Sequence, residues 1–175
     1  LPRLLDAAGL DDVILIGHSD GASIALVHAG ADAAGRIRAV VAMAPHVFCE
    51  ELSVSSIRRA RDAYEAGDLR ARLARQHGDN VDVAFWGWNG AWLDPGFMRW
   101  NIEEYLPRIR VPVLVVQGCQ DEYGTEAQVR AIQAGSGGPA EVVMLDRCGH
   151  SPHRDQPERT LASIAGFVDR MTRSP

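Results

Sequence analysis

The sequence predicts an α/β fold, a mostly parallel sheet flanked by helices and interrupted by a helical insertion. Three observations carry that expectation. Short apolar runs of strand length recur at 13–16, 38–44, 113–118 and 141–145, continuous rather than alternating, as parallel strands covered on both faces require. Helix-length segments separate them, the alternation of a sheet wrapped by its own crossovers. Between the second and third runs the character changes: 49–106 is rich in Arg, Asp and Glu, holds all four tryptophans and has no strand pattern. The expected organisation is a core of 1–48, a helical lid or cap of 49–106, and a return to the core in 107–175.

Each element has a local cause. Leu1, Leu4, Leu5 and Ala8 share one face of an opening helix that Gly9 stops. The run Val13-Ile14-Leu15-Ile16 follows, then a small-residue helix to about Ala31 that suits packing on a sheet. Pro45 ends the 38–44 strand and leaves His46 and Phe48 at its C-terminal end, where open α/β sheets place ligands. In the insertion, Ser53 or Ser55 is expected to cap a helix through Tyr64 to Gly67, Asp68 one through Arg75 to Gly78, and 79–93 and 95–106 supply the rest. The 113–118 strand leads into the loop Cys119 to Gly124, a helix from Thr125 to about Ala134 and a glycine-rich turn. After the 141–145 strand, 158–172 reads as an amphipathic closing helix.

Composition narrows the function classes. At 175 residues, 46% hydrophobic and 23% charged, the chain supports one core with an insertion. A formal net charge of -5 and no basic run disfavour nucleic acid as a partner, and no stretch is apolar and long enough to span a membrane. All 18 basic residues are arginine, the pattern that coding bias in a GC-rich genome would produce. Three unpatterned cysteines, Cys49, Cys119 and Cys148, fit a reducing compartment, so a cytoplasmic location is expected. No metal and no organic cofactor is expected, because no ligand cluster has metal spacing.

The chemistry centres on Gly17-His18-Ser19-Asp20-Gly21, a Gly-x-Ser-x-Gly between a strand and a helix. A serine hydroxyl is a weak nucleophile and needs to stand clear of the backbone, near a base and beside N–H donors. A sharp strand-to-helix turn supplies all three, and the two glycines are expected to let strand and helix approach closely. Ser19 is therefore the candidate nucleophile. The Asp20 N–H, at the start of the helix, is the candidate oxyanion donor.

These residues resemble the α/β-hydrolase fold family in order as well as motif. Ser19 comes first, Asp121 follows a later strand in Gly118-Cys119-Gln120-Asp121, and His150 follows the last strand in Gly149-His150. The resemblance implies a serine hydrolase of the esterase-like branch. His150 takes and returns the serine proton, Asp121 orients the imidazole, and a base with an ordinary histidine pKa near about 6.5 loses activity in acid. Glu122 is the competing acid, with Asp121 favoured by its offset from Gly118. The implied substrate is a small or medium carboxylic ester. His46, Phe48, Trp86, Trp88, Trp92 and Trp100 are candidate pocket residues, the tryptophans as apolar lining from a lid. His18 is expected to pack beside the strand, His28 and His77 to lie at the surface, and His153 to sit near the site. Two rival functions stay open: hydrolysis of carbon–carbon bonds in ring-cleavage products, and ligand binding without turnover. A serine at position 19 argues against the branches that use an aspartate nucleophile.

Relative to the family pattern, the several strands expected ahead of the 13–16 strand and the His-Gly oxyanion loop among them are not in these 175 residues, and the sole His-Gly is His77-Gly78 in the insertion. The expectation is a C-terminal part of such a hydrolase, with an open edge at 13–16 and one oxyanion donor. Poor solubility and weak activity of these 175 residues alone follow from it.

Overall fold

In a computed structural model, which describes residues 1–173, the chain forms two compact units, Leu1–Phe48 with the residues from Asn101 onward, and Cys49–Trp100. The first holds four parallel strands in the order β1-β2-β3-β4: β1 (Val13–His18), β2 (Ile37–Met43), β3 (Val113–Gly118) and β4 (Ala140–Leu145). The expected α/β class and parallel sheet are present. Continuous apolar strands need cover on both faces, and the burial follows position in the sheet: Ala39 to Ala42 of β2 and all of β3 are buried, while β1 and β4 at the edges are half-exposed.

Side chains alternate between two layers. On one face, Ala39, Val41, Leu114, Val116 and Leu145 pack with Cys148 and with Phe167 of the closing helix α8 (Pro157–Arg173). Below we also use α1 (Pro2–Ala8), α2 (Asp20–Ala31), α6 (Glu126–Gly135) and α7 (Pro152–Asp155). α2 lies against β1 and β2, and α6 against β3 and β4. Small residues let α2 approach closely: Ala22 and Ala25 are buried, and a Cβ on Gly30 would sit 2.5 Å from the Tyr105 carbonyl oxygen. α6 starts at a Thr125 cap whose hydroxyl accepts the Ala127 N–H at 3.2 Å.

The second unit is helical: α3 (Glu51–Ala66), α4 (Leu69–His77) and α5 (Val81–Leu93), followed by a 3₁₀ turn over Pro95–Arg99. Its core is aromatic. Tyr64 and Phe85 stack at 3.7 Å, and Phe97 stacks on Trp100 at 5.3 Å beside the buried Trp92. Asn89, buried between helices, donates to the Ile57 carbonyl at 3.0 Å. Arg70 and the Tyr64 hydroxyl both bond Asp82, which holds its carboxyl down at about 2.

Several expected details differ. The helical unit ends at Trp100 rather than 106, because Phe48 bridges Asn101 and the Ile102 N–H donates to the Val47 carbonyl at 2.7 Å. That extended pairing also breaks the helix expected over 95–106 into two 3₁₀ turns, the second at Glu103–Arg108. Ser53 and Ser55 do not cap α3, which begins with the Val54 N–H bonding the Glu50 carbonyl and carries Ser53 buried in its first turn. On α1 only Leu5 is buried, with Leu1 and Leu4 exposed; Gly9 does end it, with φ 63. His28, expected at the surface, is buried on α2, and burial pushes its imidazole down from the usual value. The short helix α7 was not anticipated. All three cysteines are free.

Phe167 is fully buried against the sheet, whereas Leu161 on the same helix is 68% exposed. Phe167→Ala is expected to cost about 3–5 kcal/mol of stability and Leu161→Ala under about 0.5 kcal/mol, measured by urea unfolding. Equal losses would contradict the placement of α8.

Candidate active site

The C-terminal ends of β1, β3 and β4 each carry one candidate residue. Ser19 is the turn between β1 and α2, and its backbone has φ 56, a conformation few non-glycine residues adopt. Gly17 makes the turn possible: a Cβ there would collide with the Gly21 carbonyl and lie 2.6 Å from the Ala22 nitrogen. The paired expectation for Gly21 is not met, since a Cβ on Gly21 meets nothing within 4 Å. Close approach of strand and helix falls on Gly17 alone, because the Gly21 backbone is the surface that Gly17 faces.

β3 ends at Gly118, whose missing side chain leaves room for the Cys148 and Gly149 carbonyls of the loop after β4. Through that contact Asp121 and His150 meet. His150 Nδ1 lies 2.9 and 3.0 Å from the two Asp121 carboxylate oxygens, and His150 Nε2 lies 2.8 Å from Ser19 Oγ. An ionised carboxylate only accepts, so Nδ1 carries the proton and Nε2 is left to accept the serine hydroxyl proton. The Asp121 side chain is 1% exposed and fully engaged: Oδ1 also accepts the N–H groups of Tyr123 (2.8 Å) and Gly124 (3.2 Å), and Oδ2 accepts Gln117 Nε2 (2.8 Å).

Glu122, the competing acid, turns instead to the His150 backbone N–H at 3.2 Å. Asp20 is the first residue of α2, so its N–H stands at the positive end of the helix. His46 is buried with its ring centre 5.6 Å from that of His150, and its carbonyl accepts the Ser23 hydroxyl at 2.6 Å. Phe48 is half-buried, its carbonyl held by Gln128 Nε2 at 3.0 Å. Trp86, Trp88, Trp92 and Trp100 lie in the helical unit, where Trp86 and Trp88 meet Phe85 edge-on and Trp92 packs with Phe97 and Trp100.

Three residues gain roles that sequence reasoning did not assign. Gln117 is a buried amide in an apolar strand; that polarity, one residue before Gly118, was the available signal for a hydrogen-bond partner of Asp121. Tyr123 packs its ring 4.7 Å from His150 and had no signal in the sequence. His18 does more than pack: its Nε2 donates to the His150 carbonyl at 2.6 Å, and its ring lies 4.9 Å from that of His153. Burial pushes the His18 imidazole below its usual value, opposed by that carbonyl. Among the described residues, no group of His, Cys, Asp and Glu has the arrangement of a metal site.

Comparison with known proteins gives the family of the chain. Residues 1–163 match the model of the alpha/beta hydrolase family, and the chain belongs to that family of hydrolytic enzymes. Among curated proteins it is similar to the N-formylmaleamate deformylase of Pseudomonas putida, 27% identical over 187 residues, covering 97% of this chain and 68% of that protein. Among solved structures it resembles a carboxylesterase of the thaumarchaeon Nitrososphaera gargenis, with a TM-score of 0.76 at 16% identity, covering 98% of this chain and 70% of that one. An esterase from Rhodococcus sp. ECU1013 aligns with a TM-score of 0.68 at 18% identity, over 96% and 69% of the two chains.

Gly17→Ala is expected to cost about 1–3 kcal/mol by forcing strand and helix apart, while Gly21→Ala shifts stability by no more than about 1 kcal/mol. Thermal and urea unfolding check this pair, and equal effects would contradict the one-sided contact.

Proposed function

We propose that the protein is a serine hydrolase that cleaves a small or medium carboxylic ester through an acyl-enzyme. One observation carries the proposal: the continuous chain from Ser19 Oγ to His150 Nε2 at 2.8 Å and from His150 Nδ1 to Asp121 at 2.9 Å. Ser19 Oγ attacks the ester carbonyl carbon as its proton passes to His150 Nε2, and Asp121 stabilises the imidazolium that forms. The carbonyl oxygen becomes an oxyanion facing the Asp20 N–H, where the α2 dipole favours negative charge. Collapse expels the alcohol, which takes the proton from His150. Water then repeats the sequence on the acyl-enzyme with His150 as base, releasing the acid and restoring Ser19. His46, beside the His150 ring, is proposed to border the reacting carbonyl.

A second reading is favoured by the relative named for removing a formyl group from N-formylmaleamate. The same steps cleave a formyl amide, with His150 protonating the leaving nitrogen and formate released from Ser19.

Hydrolysis of p-nitrophenyl acetate and butyrate, with formate release from N-formyl amides measured in parallel, separates the two. Ser19→Ala and His150→Ala are each expected to lower kcat by at least about 10³-fold. Turnover retained in Ser19→Ala would contradict the acyl-enzyme. Formate release with inert esters would select the second reading.

A further inference from the structure

His150 sits on a loop, so its imidazole is only as well placed as the peptide units on either side of it. Both of its backbone polar groups end on side chains adjacent in sequence to its two partners. Glu122, next to Asp121, accepts the His150 N–H on Oε2 at 3.2 Å. His18, next to Ser19, donates from Nε2 to the His150 carbonyl at 2.6 Å. The same loop is tied one residue earlier, where Asp155 Oδ2 accepts the Gly149 N–H at 2.8 Å. A Cβ on Gly149 would fall 2.9 Å from Glu122 Oε2, so the glycine is what lets that carboxylate reach the backbone. The turn after β1 and the loop after β3 therefore each hydrogen-bond His150 through two adjacent residues, once through the candidate catalytic side chain and once through its neighbour.

Resting on the acyl-enzyme mechanism proposed above, we propose that His18 and Glu122 are positioning residues that clamp the His150 backbone from opposite sides and hold its imidazole in register with Ser19 and Asp121. Neither touches the reacting atoms. A carbonyl only accepts, so His18 acts with its proton on Nε2, and burial disfavours its charged form. Rotation of either flanking peptide swings Nε2 away from Ser19 Oγ, and misplacement on the order of 1 Å costs about 10²-fold in rate.

Side-chain reach provides the test. Glutamine places an amide N–H near the position of histidine Nε2, while asparagine is one methylene too short. At position 122, glutamine keeps the acceptor oxygen and loses the charge, whereas aspartate keeps the charge and loses the reach. The second-order rate of labelling by a fluorophosphonate, a probe of serine activation, is measured for wild type and for His18→Asn, His18→Gln, Glu122→Asp and Glu122→Gln, with near-ultraviolet circular dichroism confirming the fold. Labelling by the two short variants is expected to slow by about 10- to 100-fold, while the glutamine variants stay within a small factor of wild type. For p-nitrophenyl butyrate the loss is expected in kcat with KM unchanged, a split that a general loosening of the fold does not produce. Wild-type rates in the short variants, or glutamine variants as slow as the short ones, would overturn the clamp while leaving the acyl-enzyme standing. A folded wild type that neither labels nor turns over would overturn both.

Discussion

The site depends on one crossing, where the loop after β4 passes over the end of β3 at Gly118. β1 and β4 are the two edges of a four-stranded sheet, and strands spaced about 4.8 Å apart put those edges roughly 14 Å from each other. A residue on the β4 loop reaches Ser19 only if that loop turns back across β3 and β2. It does so by laying the Cys148 and Gly149 carbonyls against Gly118, in space that any side chain would fill. The resulting hydrogen bond, 2.8 Å from His150 Nε2 to Ser19 Oγ, joins residues 131 apart in sequence.

Rigid backing makes that reach useful. Burying a carboxylate is costly unless its oxygens are satisfied, and Asp121 meets the condition with His150 Nδ1, the Tyr123 and Gly124 N–H groups and Gln117 Nε2. Every one of those donors lies on β3, the acid loop or the histidine loop, so the network that stabilises the charge also fixes its direction. The strained φ of Ser19 is held in the same way: its N–H donates to the Met43 carbonyl at 2.9 Å, and its own carbonyl accepts the Ala22 N–H at 2.9 Å at the start of α2. Strain at Ser19 is sustained by the sheet and helix on either side.

What was legible in the sequence follows from the range of the forces involved. The bounds of β3 were readable because an uncharged apolar run between Pro112 and a loop has one low-energy use. Ser19 stood out because a Gly-x-Ser-x-Gly turn between strand and helix is local chemistry, whereas Asp121 and His150 became candidates through the chain order of the family resemblance. Gly17 was readable for the same reason, while Gly21 was assigned a steric duty that belongs to its partner. The break in the helix expected over 95–106 was hidden, since it arises from pairing with Phe48 and Val47, far away in sequence. His18 was taken for packing because its acceptor lies 132 residues away, and no local pattern marks such a bond.

The central claim is that the Ser19 hydroxyl is activated by its place in this network. Its most direct measurement is the site of covalent modification by a fluorophosphonate, read by intact mass and peptide mapping. A single adduct on the peptide carrying Ser19, absent when the protein is unfolded beforehand, is the predicted result. A folded protein that stays unmodified, or carries the adduct on another residue, would contradict the account.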